Sequence, residues 1–189
     1  MDRLMIRDVT PDDARQLLEI YAPYVEETAI TFETAVPSED EFRERIRNTL
    51  LRYPYLSAEL GGRIAGYAYA GPFKQRASYN WSCETTVYVD RAMHGRGTGR
   101  ALYMELERRL GIQGIRNMYA CIAYPKAEDE YLDYGSVRFH GKMGFVKCGE
   151  FHDCANKFGR WYHMIWMEKM IADHPADPPG VIWRPQTGV

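Results

Sequence analysis

A single-domain α/β fold built on a mixed sheet is the architecture this chain predicts, and three observations predict it. Strand-like and helix-like segments alternate, with a hairpin signal near the front and a strand–helix–strand crossover in the middle. The length, 189 residues, is that of one ordinary domain. Hydrophobic residues make up 46% and charged residues 26%, a mix that fills a core and keeps a soluble surface.

Each element has its local reason. Leu4–Asp8 alternates as a first strand. Thr10-Pro11-Asp12-Asp13 then opens a helix, with threonine as the cap, proline in the first turn and acids at the positive end; Ala14, Leu17, Leu18 and Tyr21 follow at helical spacing. Ser38-Glu39-Asp40-Glu41 is a capping box for a second helix with Phe42, Ile46 and Leu50 on one face. Tyr55–Leu60 and Arg63–Ala70 read as strands around Gly61-Gly62. Tyr79–Asp90, rich in β-formers, is the next strand, followed by a glycine cluster and a helix from Gly99 to Leu110. Ile115–Tyr124 is a strand, Ser136–Met143 a short helix closed by Gly144, and Phe145–Cys154 and Trp161–Met167 are the last strands. Pro175, Pro178, Pro179 and Pro185 make residues 171–189 a proline-rich tail to a domain over 1–170.

Composition excludes several functions. A formal charge of −2 offers no basic footprint for nucleic acid. No run of 18 apolar residues is present, so no membrane partner is expected. Charges in Met1–Asp8 are unlike a secretory leader, and with four cysteines showing no CxxC pair they predict a cytoplasmic protein. Cys148, His152 and Cys154 share one stretch with no second ligand pair, so no metal is expected. Glu128, Asp129, Glu130 and Asp133 lack calcium-loop spacing and read as a solvated acidic loop.

The segment Val87-Tyr88-Val89-Asp90-Arg91-Ala92-Met93-His94-Gly95-Arg96-Gly97-Thr98-Gly99-Arg100 runs from a strand through alternating glycines into a helix. Glycines let the backbone turn tightly and expose successive N–H groups, and a helix N-terminus adds partial positive charge; together they cradle an anion such as a pyrophosphate. Arg96 and Arg100 add charge-assisted donors. Neither a dinucleotide fingerprint nor a P-loop fits, because the third glycine and the G-K-[ST] triplet are missing.

That turn, His94-Gly95-Arg96-Gly97-Thr98-Gly99, resembles the acetyl-CoA loop Q/R-x-x-G-x-G/A of the GNAT N-acetyltransferases, with histidine in the first place. Ser136-Val137-Arg138-Phe139-His140-Gly141-Lys142-Met143-Gly144-Phe145 resembles the short helix ending in G-F of the same family. Thr31-Phe32-Glu33, the stretch from Tyr69 to Trp81, Glu84-Thr85-Thr86 and Lys157-Phe158-Gly159-Arg160-Trp161 are similar to the phosphinothricin acetyltransferase branch. The likeness runs from Ile6 to Met167. It implies a mostly antiparallel twisted sheet flanked by helices. It also implies transfer of acetyl from acetyl-CoA to the α-amine of a small amino acid or analogue, by a homodimer in which Val181, Ile182 and Trp183 offer apolar surface to a neighbour. Acetylation of a protein N-terminus or a polyamine, and acyl-CoA sensing without turnover, are the alternatives.

On this resemblance Glu84 is the expected base and His140, where many relatives carry a tyrosine, the expected acid. Val87, Tyr88, Val89, His94, Gly95, Arg96, Gly97, Thr98, Gly99, Arg100, Asp133 and Ser136 are expected around acetyl-CoA. Asp133 stands near the place of an asparagine that bonds the pantetheine arm in relatives with a shorter turn. Phe32, Lys74, Arg76, Tyr79, Thr86 and Tyr88 are expected around the amino acid, with Lys74 and Arg76 meeting its carboxylate or phosphinate.

Overall fold

The computed structural model describes residues 4–183. Its elements in chain order are β1 (Met5–Asp8), α1 (Ala14–Glu27), α2 (Glu39–Leu50), β2 (Tyr55–Leu60), β3 (Arg63–Pro72), β4 (Ser82–Val89), α3 (Thr98–Gln113), β5 (Asn117–Tyr124), α4 (Gly135–Lys142), β6 (Val146–Lys157) and β7 (Arg160–Met170). The seven strands form one sheet in the order β1-β2-β3-β4-β5-β7-β6. Every neighbouring pair is antiparallel except β4 and β5, which the α3 crossover makes parallel.

The expected capping bond forms at α2, whereas the Thr10 signal opens a short 3-10 turn, Pro11–Asp13, that leads into α1. The Thr10 N–H donates to Asp13 Oδ2 at 2.7 Å, and Ser38 Oγ accepts from the Glu41 N–H at 3.2 Å. Asp13 is also gripped by both Arg7 Nη atoms at 2.8 Å, which ties the entry of α1 to β1. Gly61 and Gly62 take the positive φ values, 59° and 79°, that a tight hairpin between β2 and β3 requires.

Two main cores form, one on each face of the sheet, with a smaller cluster of Ala29, Ala123, Leu132 and Tyr162 beside them. Leu56 and Ala58 of β2, Ala68 and Ala70 of β3, and Cys83 of β4 share a cluster with Leu102, Tyr103, Leu106 and Leu110 of α3. The small side chains let α3 lie close: a Cβ at Gly66 would meet the Tyr88 carbonyl at 2.9 Å and the Thr98 methyl at 3.3 Å. On the other face Leu17, Tyr21 and Tyr24 of α1 and Phe42 and Ile46 of α2 pack on Tyr55 and Tyr67. Leu17 and Ile46 are fully enclosed, each such burial stabilising by about 1.5–3 kcal/mol.

Several boundaries differ from expectation. β4 begins at Ser82 rather than Tyr79, because Ala77–Tyr79 wind into a helical turn closed by Asn80 N–H donating to the Ala77 carbonyl at 3.0 Å. The last two strands extend further, to Lys157 and Met170. In the tail, Val181 and Trp183 pack against the α3-side core, Trp183 meeting Tyr53 edge-on at 5.5 Å. Of the three apolar residues expected to be free for a neighbour, Ile182 is exposed. The tail beyond 183, with Pro185, lies outside the described residues.

Candidate active site

The site begins with a missing partner. β4 and β5 pair only over Ser82↔Asn117, Cys83↔Met118 and Glu84↔Tyr119. Past Glu84 the strands part, and Thr85–Val89 keep β3 on one side with no strand among the described residues on the other. A parallel ladder that ends this way leaves strand N–H and C=O groups facing a gap. A cleft of about 630 Å³ opens beside this stretch, lined by Val87, Tyr88 and Val89, by the glycine turn, and by residues 129–133 with Gly135, Ser136 and Phe139.

The glycine turn closes one end of the cleft. Asp90 caps it by accepting from the Ala92 N–H at 2.9 Å. Gly95 and Gly97 both hold left-handed φ values, 76° and 82°, and a Cβ at either would find no heavy atom within 4 Å, so the turn's open side faces free space. Gly97 is the cap of α3, whose first N–H groups have no intrahelical acceptor and carry the helix's positive end. Arg100, in the first turn, lines the cleft. Arg96 is exposed and does not line it. His94 Nε2 turns back toward α1, 2.8 Å from the Tyr24 hydroxyl, which itself donates to the Val89 carbonyl.

The opposite wall is the acidic loop, in which Glu128, Glu130 and Asp133 stay exposed, as expected, while Asp129 is tucked in and bonded. Asp129 accepts from the Tyr131 and Leu132 N–H groups at 2.8 and 2.9 Å, and Arg160 pairs with both Asp129 and Glu130. Burial works against the Asp129 carboxylate, but Arg160 and the backbone donors outweigh it and hold its pKa below the usual value. Asp133 lines the cleft and accepts from the Gly135 N–H at 2.6 Å.

Strand alternation sorts the polar residues of β4 onto two faces. Glu84, Thr86 and Tyr88 lie on the α1–α2 side, where Tyr88 contacts Tyr21 and Tyr24. Glu84 is partly buried, and burial raises its pKa against the field of Lys74, which lowers it. Lys74 itself lies over the rings of Phe73 and Trp166 at 5.0 and 5.6 Å. Arg76 and Tyr79 sit exposed on the same turn. Phe32 packs near Tyr162, ring centroids 6.3 Å apart.

On the other face, Thr85 points at α3. Tyr103, fully enclosed, places its hydroxyl 3.3 Å from Thr85 Oγ1 and 2.9 Å from His140 Nε2. His140 Nδ1 is 2.8 Å from the Ser136 carbonyl, which can only accept. Nδ1 therefore carries the proton, and Nε2 accepts from the Tyr103 hydroxyl, whose one proton it shares with Thr85 Oγ1. Burial pushes the His140 pKa down to about 4, against the Ser136 carbonyl, which raises it. The ring is neutral at pH 7, both nitrogens are engaged inside the protein, and it does not line the cleft. This geometry differs from that expected of a proton donor facing the thioester, and the cause is packing: α4 turns His140 inward between Phe139, Phe145 and Tyr103.

The acetyltransferase (GNAT) domain family model matches residues 6–166. The chain belongs to the GNAT acetyltransferase family. It is 32% identical to a phosphinothricin N-acetyltransferase of Streptomyces viridochromogenes, covering 97% of this chain and 95% of that protein. It is 29% identical to an L-methionine sulfoximine/L-methionine sulfone acetyltransferase of Salmonella typhimurium, over 92% and 98% of the two chains. A GNAT-superfamily phosphinothricin acetyltransferase of Sinorhizobium meliloti, solved in complex with acetyl-CoA, superposes with a TM-score of 0.85 at 31% identity, covering 97% of each chain.

Within this GNAT domain the structure also adds residues that sequence reasoning passed over. Tyr24 buttresses His94 and the end of β4, and Tyr103 joins β4 to α4. Both stand at core-like positions of their helices, and a hydroxyl at such a position carries no pattern of its own. Tyr131 and Leu132 complete the acidic wall.

Proposed function

We propose that this GNAT domain transfers the acetyl group of acetyl-CoA to the α-amino group of a small amino acid or amino-acid analogue of the phosphinothricin or methionine-sulfoximine type. The observation that carries the reading is the unpaired stretch of β4 running from Thr85 into the glycine turn, beside a cleft of about 630 Å³. The residues present fit such a ligand: two left-handed glycines with open space over them, the free N–H groups of α3 and Arg100 offer an anion cradle.

When bound, acetyl-CoA would supply an acetyl thioester carbon open to attack by an amine, the C–S bond breaking as the C–N bond forms and CoA leaving as a thiolate that takes a proton from water. The first turn of α3 and Arg100 hold the anionic end, with Gly95, Gly97, Thr98 and Gly99 shaping the approach. Backbone groups of Val87, Tyr88 and Val89 bind the extended arm. Asp133 and Ser136 stand on the far wall. An α-ammonium is largely protonated near neutral pH, and Glu84 accepts its proton directly or through water. Lys74 and Arg76 meet the substrate's carboxylate or phosphinate, while Tyr79, Thr86, Tyr88 and Phe32 shape its pocket. His140 enters in a positioning role: it joins the start of α4 to Tyr103 and so to Thr85 beside Glu84.

A cytoplasmic homodimer is part of the same reading. Exposed Phe151 and Trp161 on the last two strands give a second copy apolar surface. A thiol-release assay with acetyl-CoA against phosphinothricin, methionine sulfoximine, protein N-terminal peptides and polyamines tests the proposal. Turnover is expected with the first two; turnover with peptides or polyamines alone, or none at all, contradicts it.

A further inference from the structure

A second cluster of ligating groups lies on the last two strands, apart from the cleft and independent of the acyl-transfer reading. β6 and β7 pair as Glu150↔Ile165 and Phe151↔Met164, and the register then jumps to Ala155↔Tyr162. Four steps on β6 thus oppose two on β7, a bulge in which Asp153 takes a φ of 45°. The bulge brings His152 against His163, the rings perpendicular with centroids 4.9 Å apart. Glu150 Oε1 lies 3.5 Å from His152 Nε2 and 3.7 Å from His163 Nδ1. All three ligating atoms fall within 4.8 Å of one another. Lys147 holds the other oxygen of Glu150 at 2.6 Å, which leaves Oε1 to the imidazoles.

His163 supplies the observation that points to a ligand. It is only 9% exposed, and its Nδ1 is buried without a hydrogen-bond partner. A buried polar nitrogen left unpaired is costly, and a cation between it and Glu150 removes that cost.

We propose that Glu150, His152 and His163 bind a divalent transition-metal ion, zinc(II) in the first place. Bonds of about 2.0–2.1 Å in a tetrahedral arrangement set neighbouring ligand atoms roughly 3.3–3.4 Å apart; the two separations from Glu150, 3.5 and 3.7 Å, need to close by only tenths of an ångström, and the two imidazole nitrogens, within 4.8 Å of each other, close the rest by side-chain rotation. Two imidazole nitrogens and one carboxylate oxygen suit zinc, nickel or copper and not magnesium or calcium. Water takes the fourth position. The ion pins the β6 bulge to β7, and the Asp153–Lys126 ion pair, 2.7 Å, carries that brace to the loop that walls the cleft. The site escapes a sequence reading centred on Cys148, His152 and Cys154 because His163 comes from the next strand.

Zinc titration of the chelator-stripped full chain against a chromophoric competitor, with metal counted by mass spectrometry, tests this. One zinc per chain is expected. His152→Ala, at an exposed side chain that leaves the fold intact, and Glu150→Gln are each expected to weaken it by more than the roughly 10–100-fold that losing an outer supporting contact costs. Cobalt(II) is expected to give the intense visible absorption of a tetrahedral site, lost in the same variants. Zinc that survives both substitutions but disappears when the exposed Cys121, Cys148 and Cys154 become serine overturns the proposal, as does a chain that takes up no zinc.

Discussion

Glu84 and Tyr119 form the last register pair between β4 and β5, three residues before Val87, the first residue of β4 to line the cleft. The proposed base thus stands where the sheet divides, next to the unpaired strand and under the field of Lys74. Glu84→Gln is expected to lower kcat/KM by roughly 10²-fold or more while leaving CoA affinity unchanged. The loss shrinks as pH rises, because the amine then arrives neutral. Burial sets the acid limb of kcat/KM above the ordinary carboxylate range, and Lys74→Met moves it further up by removing the cation that favours the charged form. Steady-state rates across pH check both signs.

Gly97→Val is expected to abolish CoA binding. Valine resists the 82° φ at this position, and its branched side chain projects into the open space on which the anion site depends. Calorimetry on the folded variant reads the outcome, and unchanged affinity removes the glycine turn from the cofactor site.

His140 is expected to act through structure. Its folded pKa, about 4, lies below the ordinary 6.5, so the neutral ring contributes stability that is full above 6.5 and lost as pH falls toward 4, on the order of 3 kcal/mol. His140→Asn is expected to flatten the fall of Tm across that window and to lower kcat with no change in the pH limbs. A limb near 6.5 in the wild type that vanishes in the variant shows a ring that titrates during turnover.

Lys74 and Arg76 are expected to govern substrate rather than cofactor. Replacing either with a neutral residue raises KM for an anionic or zwitterionic amino acid and leaves the Kd for CoA near its original value. Parallel kinetics and calorimetry separate the two effects.

The elements carrying local chemistry were legible in the sequence: the Ser38 cap, the Gly61-Gly62 turn and the glycine run into α3 all stand where their residues demand. Contacts set by distant chain were not. Glu128–Asp133 reads as a solvated loop and most of its carboxylates stay exposed, but its tie to Arg160, some thirty residues on, through Asp129 and Glu130 leaves no local signal. The three-pair limit of the β4–β5 ladder is a property of two strands and their crossover, invisible in either alone. His140 sits on a helix of eight residues, too short for periodicity to say which face turns inward. Tyr103 holds the proton partner of His140 from a position indistinguishable from ordinary core.

The identity of the acetylated product tests the central claim most directly. Incubation with acetyl-CoA and L-methionine sulfoximine, followed by fragmentation mass spectrometry, is expected to yield a single acetyl group on the α-nitrogen, formed by the wild-type chain and far more slowly by Glu84→Gln. No product, or a product formed equally fast by both proteins, contradicts the account.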